Sequence, residues 1–205
     1  MGALDQPAST TYGADPGVRW MVAYQQGDEA AFDAIVEAYS GQLFALFTRF
    51  LGQVPEREDL VQDVFLRVIR ARERYQPQAR FSTWLYRIAF NIAVNKTQRS
   101  TELGSLDEPL PGELEPRLRD VGDPKHEEPS AVMERGDVVA AVRSAIAALP
   151  ETQRMALILA KYNEMPYAEI AVVLQSSEKA IKSMVHRARE NLRVRLAPFL
   201  QQELS

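Results

Sequence analysis

The side chains able to do chemistry fall into three groups by type and spacing. Asp59 and Asp63 stand four residues apart, Thr83, Arg87, Asn91 and Asn95 recur at intervals of four, and Lys179, Lys182, Ser183, His186 and Arg187 crowd one later stretch. On a helix each group shares a face. Paired carboxylates at that spacing can hold a divalent cation, but a metal needs further ligands. No histidine falls in register with Asp59 and Asp63. With Gln62 and Arg67 beside them, docking to a protein or a plain solvated face is the better reading. Amides and a guanidinium in a row can read base edges. Clustered lysines and arginines suit phosphates or guanine edges, and Ser183 and His186 can bond to bases or backbone. A surface histidine with no specific role is an equal alternative for His186. Cysteine is absent and the two histidines, His126 and His186, lie far apart. A histidine base beside a nucleophile is therefore not expected. No catalytic residue, metal or cofactor is assigned.

Charge sorting supports the second and third groups. The 205 residues carry a formal net charge of −4, which taken alone argues against a nucleic-acid ligand. Residues 80–99 nevertheless hold four bases and no acid, and residues 179–195 hold six bases against Glu190. Between them residues 100–137 hold eleven acids against four bases. Two basic islands flanking an acidic bridge give two contact points for phosphates, or two solvated helix faces. The lack of cysteine fits a reducing cytoplasm, and no apolar run approaches the roughly 20 residues that span a bilayer. The acidic N-terminus is not a signal peptide, so a cytoplasmic chain without membrane contact is expected.

The elements that must position these groups are all helical. At 46% hydrophobic and 25% charged, the chain is an ordinary globular one. Residues 1–18 are polar and turn-forming and are read as disordered. Asp28 caps a first helix with Phe32, Ile35, Val36, Tyr39, Leu43, Phe44, Phe47 and Phe50 inward, ended by Gly52 and Pro55. A second, from Glu56 to about Arg74, turns Leu60, Val61, Val64, Phe65 and Val68 inward. A third, from about Ser82, buries Trp84, Leu85, Ile88 and Ile92 opposite the amide stripe. Tyr75, Phe81, Trp84, Tyr86 and Phe90 surround that stripe, as unstacked bases would require. Core packing is the first role of Phe81 and Trp84, whereas Tyr75 and Tyr86 stay open. The loop 76–80 is short, polar and turn-forming, a type of segment that can hold an extruded base.

Prolines and acids mark residues 100–136 as a flexible linker. Helical periodicity then returns, with breaks at Pro150 and at 163–166. A short helix, 167–174, a turn at Gln175, Ser176 and Ser177, and a long basic helix from Glu178 form a helix-turn-helix or a plain helical hairpin. No strand alternation appears. The fold is read as all-α: two small helical domains, 19–99 and 137–197, with an acidic linker between and a C-terminal tail, 198–205.

Three segments together resemble the extracytoplasmic-function sigma factors of bacterial RNA polymerase. They are residues 58–65 (Glu-Asp-Leu-Val-Gln-Asp-Val-Phe), 81–91 (Phe-Ser-Thr-Trp-Leu-Tyr-Arg-Ile-Ala-Phe-Asn), and 167–171 (Tyr-Ala-Glu-Ile-Ala) leading to 181–189 (Ile-Lys-Ser-Met-Val-His-Arg-Ala-Arg). The resemblance covers residues 19 to 197. It implies that Asp59, Leu60, Gln62, Asp63, Phe65 and Arg67 dock on the clamp coiled coil of the largest subunit of the polymerase core. It implies that Arg80, Thr83, Tyr86, Arg87, Asn91, Asn95 and Arg99 engage the −10 promoter element and trap a flipped base. Ser177, Lys179, Lys182, Ser183, His186, Arg187 and Arg189 would read the −35 element as duplex. The linker would thread toward the polymerase active centre. Gln175 departs from the family, which commonly has glycine after Leu174, and His186 occupies a variable position, so the promoter sequence does not carry over. The chain ends soon after the last helix, which implies control from outside by an anti-sigma factor. A lone helix-turn-helix regulator leaves the Asp59 to Phe65 segment and the Arg87 stripe without a task, a helical enzyme with a carboxylate metal site at Asp59 and Asp63 is less economical, and a scaffold without nucleic acid leaves the two basic islands unexplained.

Overall fold

The computed structural model describes residues 12–104 and 129–202, with side chains over 12–98 and 138–199. Arg99's side chain and residues 105–128 of the expected linker lie outside the described residues. Eight α-helices and one 3-10 turn make up the described chain: α1 Pro16–Gln25, α2 Glu29–Leu51, α3 Arg57–Ala71, the turn Arg72–Arg74, α4 Phe81–Gly104, α5 Pro129–Ala147, α6 Glu151–Tyr162, α7 Tyr167–Val173 and α8 Glu178–Gln202.

The first helix starts inside the segment read as disordered. Asp15 accepts a hydrogen bond from the Val18 amide at 3.0 Å, and Pro16 occupies the first helical turn. Both are ordinary helix-start signals, hidden here by the polar residues before them. Val18, Met21 and Tyr24 then enter the core. Gly17 is required by close approach: a Cβ there would sit 2.6 Å from the Tyr39 hydroxyl and 2.7 Å from the Phe81 Cβ. Asp28 caps α2 as expected, accepting from the Ala30 amide at 3.1 Å. Gly52 ends that helix at φ +80°, which a side chain would strain. Leu46 joins the inward face of α2, whereas Phe44 turns outward beneath the Arg57 guanidinium, 4.9 Å from its ring centre.

Helices occupy both ends of the expected linker. Helix α4 continues to Gly104 because residues 100–103 contain no breaker, and α5 begins at Pro129, a residue suited to a first turn. Residues 198–202 of the expected tail likewise belong to α8, which runs to Gln202 through Pro198, and the rest of that tail lies outside the described residues.

Five consecutive residues of α6, Met155 to Leu159, are buried. A helix buried all round must be enclosed on every side. Helices α8, α7 and α2 enclose it, so α6 lies at the junction of the two domains. The buried hydrophobic residues from Val18 to Ala188, Ala145 excepted, form one contiguous cluster. The two helical domains are therefore packed against each other rather than held apart.

Candidate nucleic-acid and polymerase interfaces

Helix α4 presents its inward face through Phe81, Leu85, Ala89 and Ile92, all buried. That geometry turns Arg87 to a half-buried position and Asn91 and Asn95 to solvent. At the head of the helix Tyr75 packs edge to face with both Phe81 and Trp84, its ring centre 4.9 Å from that of Trp84, and the Phe81 and Trp84 rings meet at a tilt. Beside this cluster lies a cavity of about 310 Å³, walled by Arg74, Tyr75, Gln76, Gln78, Trp84 and Arg87. Its size is at the small end of ligand pockets, suited to one flat ring. The loop 76–80 thus borders a real hollow.

What holds that loop comes from α1. The Gln25 side-chain amide donates to the carbonyls of Arg72, at 2.7 Å, and Tyr75, at 3.0 Å. The Arg72 guanidinium lies 4.0 Å from the centre of the Tyr24 ring and pairs with Glu29 at 2.8 Å. Gln25 has no periodicity signal, because its two partners are nearly fifty residues away. Burial, with a smaller contribution from Asp15, raises the Tyr75 phenol well above its ordinary range, so the ring stays neutral. The Tyr75 hydroxyl has no hydrogen-bond partner among the described residues.

Two residues of the −10 set are covered. Thr83 is 0% exposed, and its hydroxyl donates to the Glu169 carboxylate of α7 at 3.0 Å. Arg80 reaches the other oxygen of Glu169 at 3.3 Å. The Tyr86 hydroxyl donates to the Gln42 side-chain oxygen at 2.7 Å and accepts from the Asn163 amide at 2.8 Å. Tyr86, left open by sequence, is a buried interdomain residue here.

On α3, Asp59, Gln62, Asp63 and Arg67 are exposed along one side. Leu60 and Phe65 are 7% and 8% exposed and face the core, as their place in the apolar period demands, so as placed they hold the helix and do not line its outer surface. Leu66 and Ile69 do, at 46% and 41% exposure. Sequence reading missed them because their spacing to the acids shows only once the inward face is known. Among the described residues no group of three acids or histidines is placed to hold a metal.

The turn before α8 explains the missing glycine. Gln175 adopts φ +49°, while the Ser176 amide donates to the Ala171 carbonyl at 2.9 Å and the Gln175 amide to Val172. This is the helix-ending motif in which glycine is usual. Ser177 caps α8 by accepting from the Ala180 amide at 3.2 Å. Ile181, Val185 and Ala188 are buried, which leaves Lys179, Lys182, Ser183, His186, Arg187 and Arg189 exposed. Helix, tight turn and basic helix make a helix-turn-helix whose second helix leaves the basic side chains of its first turns exposed.

An all-helical pair of domains, one with a helix-turn-helix and the other with an aromatic hollow beside an amide stripe, defines a DNA-binding protein of the transcription machinery. Comparison with known proteins agrees. Residues 35–101 match the family model for sigma-70 region 2 and residues 140–192 that for sigma-70 region 4. The chain is 33% identical over 184 residues to the RNA polymerase sigma-H factor of Pseudomonas aeruginosa, covering 87% of this chain and 92% of that one. It is 31% identical to the ECF RNA polymerase sigma factor SigW of Bacillus subtilis, covering 84% and 92%. The fold is similar to that of CnrH, solved in complex with the cytosolic domain of CnrY, with a TM-score of 0.64 at 23% identity over 90% of this chain and 99% of that one. The chain belongs to the extracytoplasmic-function sigma factors. It is an RNA polymerase sigma factor, whose region 2 serves −10 recognition and melting and whose region 4 serves the −35 element.

Proposed function

We propose that this sigma factor divides the work among three surfaces and performs no chemistry of its own. The exposed side of α3, Asp59, Gln62, Asp63 and Arg67 together with Leu66 and Ile69, docks on the clamp coiled coil of the polymerase core. An apolar pair rimmed by charges is a common composition for a protein-binding patch. The α4 stripe of Arg87, Asn91 and Asn95 takes the −10 strand, and the hollow bordered by Tyr75 and Trp84 accepts an extruded base. Stacking on aromatic rings is sequence-tolerant and strong, and Arg74 and Arg87 can neutralise the neighbouring phosphates. The basic face of α8, from Lys179 to Arg189, reads the −35 duplex. Weak sites on one chain gain effective concentration from each other, so both elements are gripped together only on the polymerase.

The observation that carries this reading is the aromatic hollow at the head of α4, beside an amide stripe on an acid-free helix segment. Two further expectations go with it. CnrH was solved with CnrY, and a Bartonella quintana sigma factor RpoE with the anti-sigma factor NepR. A similar protein regulator fits this chain, acting in the cytoplasm with the polymerase. Among the described residues no helix is long and apolar enough to cross a membrane.

Reconstitution with core polymerase and run-off transcription across a genome tests the reading and yields the promoter motif. Within that assay Asn91→Ala is expected to reduce strand opening, read by permanganate footprinting, more than closed-complex binding. Equal losses in both would remove Asn91 from the single-strand site.

A further inference from the structure

We propose that Glu169 stands in for a DNA phosphate, and that its grip on Arg80 and Thr83 latches the two domains in a closed form that must open before α4 can take the −10 strand. The proposal rests on the assignment of α4 made above. Both oxygens of the Glu169 carboxylate are turned to α4, one at 3.0 Å from the Thr83 hydroxyl and the other at 3.3 Å from the Arg80 guanidinium. A guanidinium and a hydroxyl one helical turn apart are the donors that ordinarily take a phosphodiester oxygen. Here the anion they hold is supplied by region 4 of the same chain.

Neighbouring contacts from the same stretch of region 4 complete the cover. Asn163 engages the Tyr86 hydroxyl at 2.8 Å, and Val172 forms part of the wall of the hollow that holds Tyr75 and Trp84. Three residues between 163 and 172 thus sit on residues assigned to the −10 strand.

Size shows that this arrangement cannot persist on a promoter. The −10 and −35 elements lie about 25 base pairs apart, about 85 Å at 3.4 Å per base pair. The 24 residues of α4 span only about 36 Å, and α7 rests directly against that helix. One closed molecule cannot place α4 and α8 on both elements, so the α4–α7 contact must break. Closure and promoter binding are then mutually exclusive, and each lowers the population of the other. Arg80 is largely exposed, so its ion pair contributes little alone. The enclosed Thr83 bond and the apolar packing around it supply the rest. Glu169 is the part with which DNA phosphate competes.

The sequence contains no cysteine, so Asp33→Cys on α2 and Asn191→Cys on α8, both exposed, supply the only thiols for paired spin labels. Double electron–electron resonance on the full chain is expected to show one narrow short-distance population, to which Glu169→Gln adds a longer one. Anisotropy with a fluorescein-labelled, mixed-sequence single-stranded 12-mer is expected to show about 5–10-fold tighter binding for Glu169→Gln, whereas Glu164→Gln stays within about twofold of wild type. Glu164 is exposed in the turn before α7, and its substitution changes the net charge equally. Unchanged distances and affinity for Glu169→Gln overturn the latch, and so does an equal effect of Glu164→Gln. Run-off transcription with core polymerase separates the two levels. If wild type initiates while Glu169→Gln is silent in both measurements, only the latch falls, whereas failure of wild type to initiate removes the sigma assignments beneath it.

Discussion

Arg187 projects from the exposed face of α8, one turn beyond Ser183 and with Val185 and Ala188 holding the helix from behind. If it contacts a base edge, Arg187→Ala costs about 1–3 kcal/mol of −35 binding and relaxes specificity at one position. Filter binding of the holoenzyme to promoter variants checks this, and uniform weakening across sequences would mark a phosphate contact instead. Tyr39 makes a different kind of prediction. Burial, assisted by the Asp15 carboxylate and Tyr86, pushes its phenol up from 10.0 to about 12. The neutral phenol is favoured by the fold, so its contribution is intact below pH 10 and is lost as pH rises from 10 toward 12. Tyr39→Phe is expected to flatten the alkaline fall in Tm over that window, with Tyr75 and Tyr86, raised in the same direction, carrying the remainder.

Helix α3 separates docking from folding along a single element. Its two sides are chemically mixed, since Leu66 and Ile69 are as apolar as Leu60 and Phe65, and only the angle around the axis distinguishes them. Leu60→Ala is expected to cost about 2–5 kcal/mol of stability, as buried leucines do when truncated. Leu66→Glu is expected to leave Tm near wild type and weaken polymerase binding at least tenfold, about 1.4 kcal/mol. Thermal melts and co-purification with core polymerase read the two effects separately. A Leu66→Glu variant that binds polymerase normally would move the docking surface off this side of α3.

The whole molecule is joined through Arg154, which no local pattern singles out. Its guanidinium donates to the Phe50 carbonyl at 2.8 Å, to the Leu149 carbonyl at 3.0 Å and to the Ala147 carbonyl, and it lies 5.0 Å from the centre of the Phe50 ring. One cation therefore serves carbonyls at the ends of α2 and α5, where helices leave acceptors unpaired. Burial lowers its pKa, with Glu151 opposing the shift. Around it Arg49 sits 4.5 Å from the centre of the Tyr162 ring and Thr97 bonds to Glu151, both across the same junction. Arg154→Ala is expected to lower unfolding stability by about 2–3 kcal/mol and to increase interdomain separation. Chemical denaturation and the paired-label distances test it, and a variant as stable and as closed as wild type would show that apolar packing alone joins the domains.

Periodicity and end signals were sufficient for α2, α3, α4 and the helix-turn-helix, for most of their inward residues though not for Phe44, Leu46 or Thr83, and for the exposed basic face of α8. These properties depend on residues within a turn or two of each other, and a single helix expresses them whatever surrounds it. The start of α1 escaped because its cap and proline follow directly on polar, turn-forming residues, and the ends of the linker escaped because composition does not mark where hydrogen bonding stops. The covered state of Thr83 and Tyr86, the role of Gln25 and the reach of Arg154 were decided only by the tertiary structure. Each depends on a partner 44 to 104 residues away. A helical stripe records which residues lie side by side, whereas what lies on top of it is fixed by where another part of the chain comes to rest.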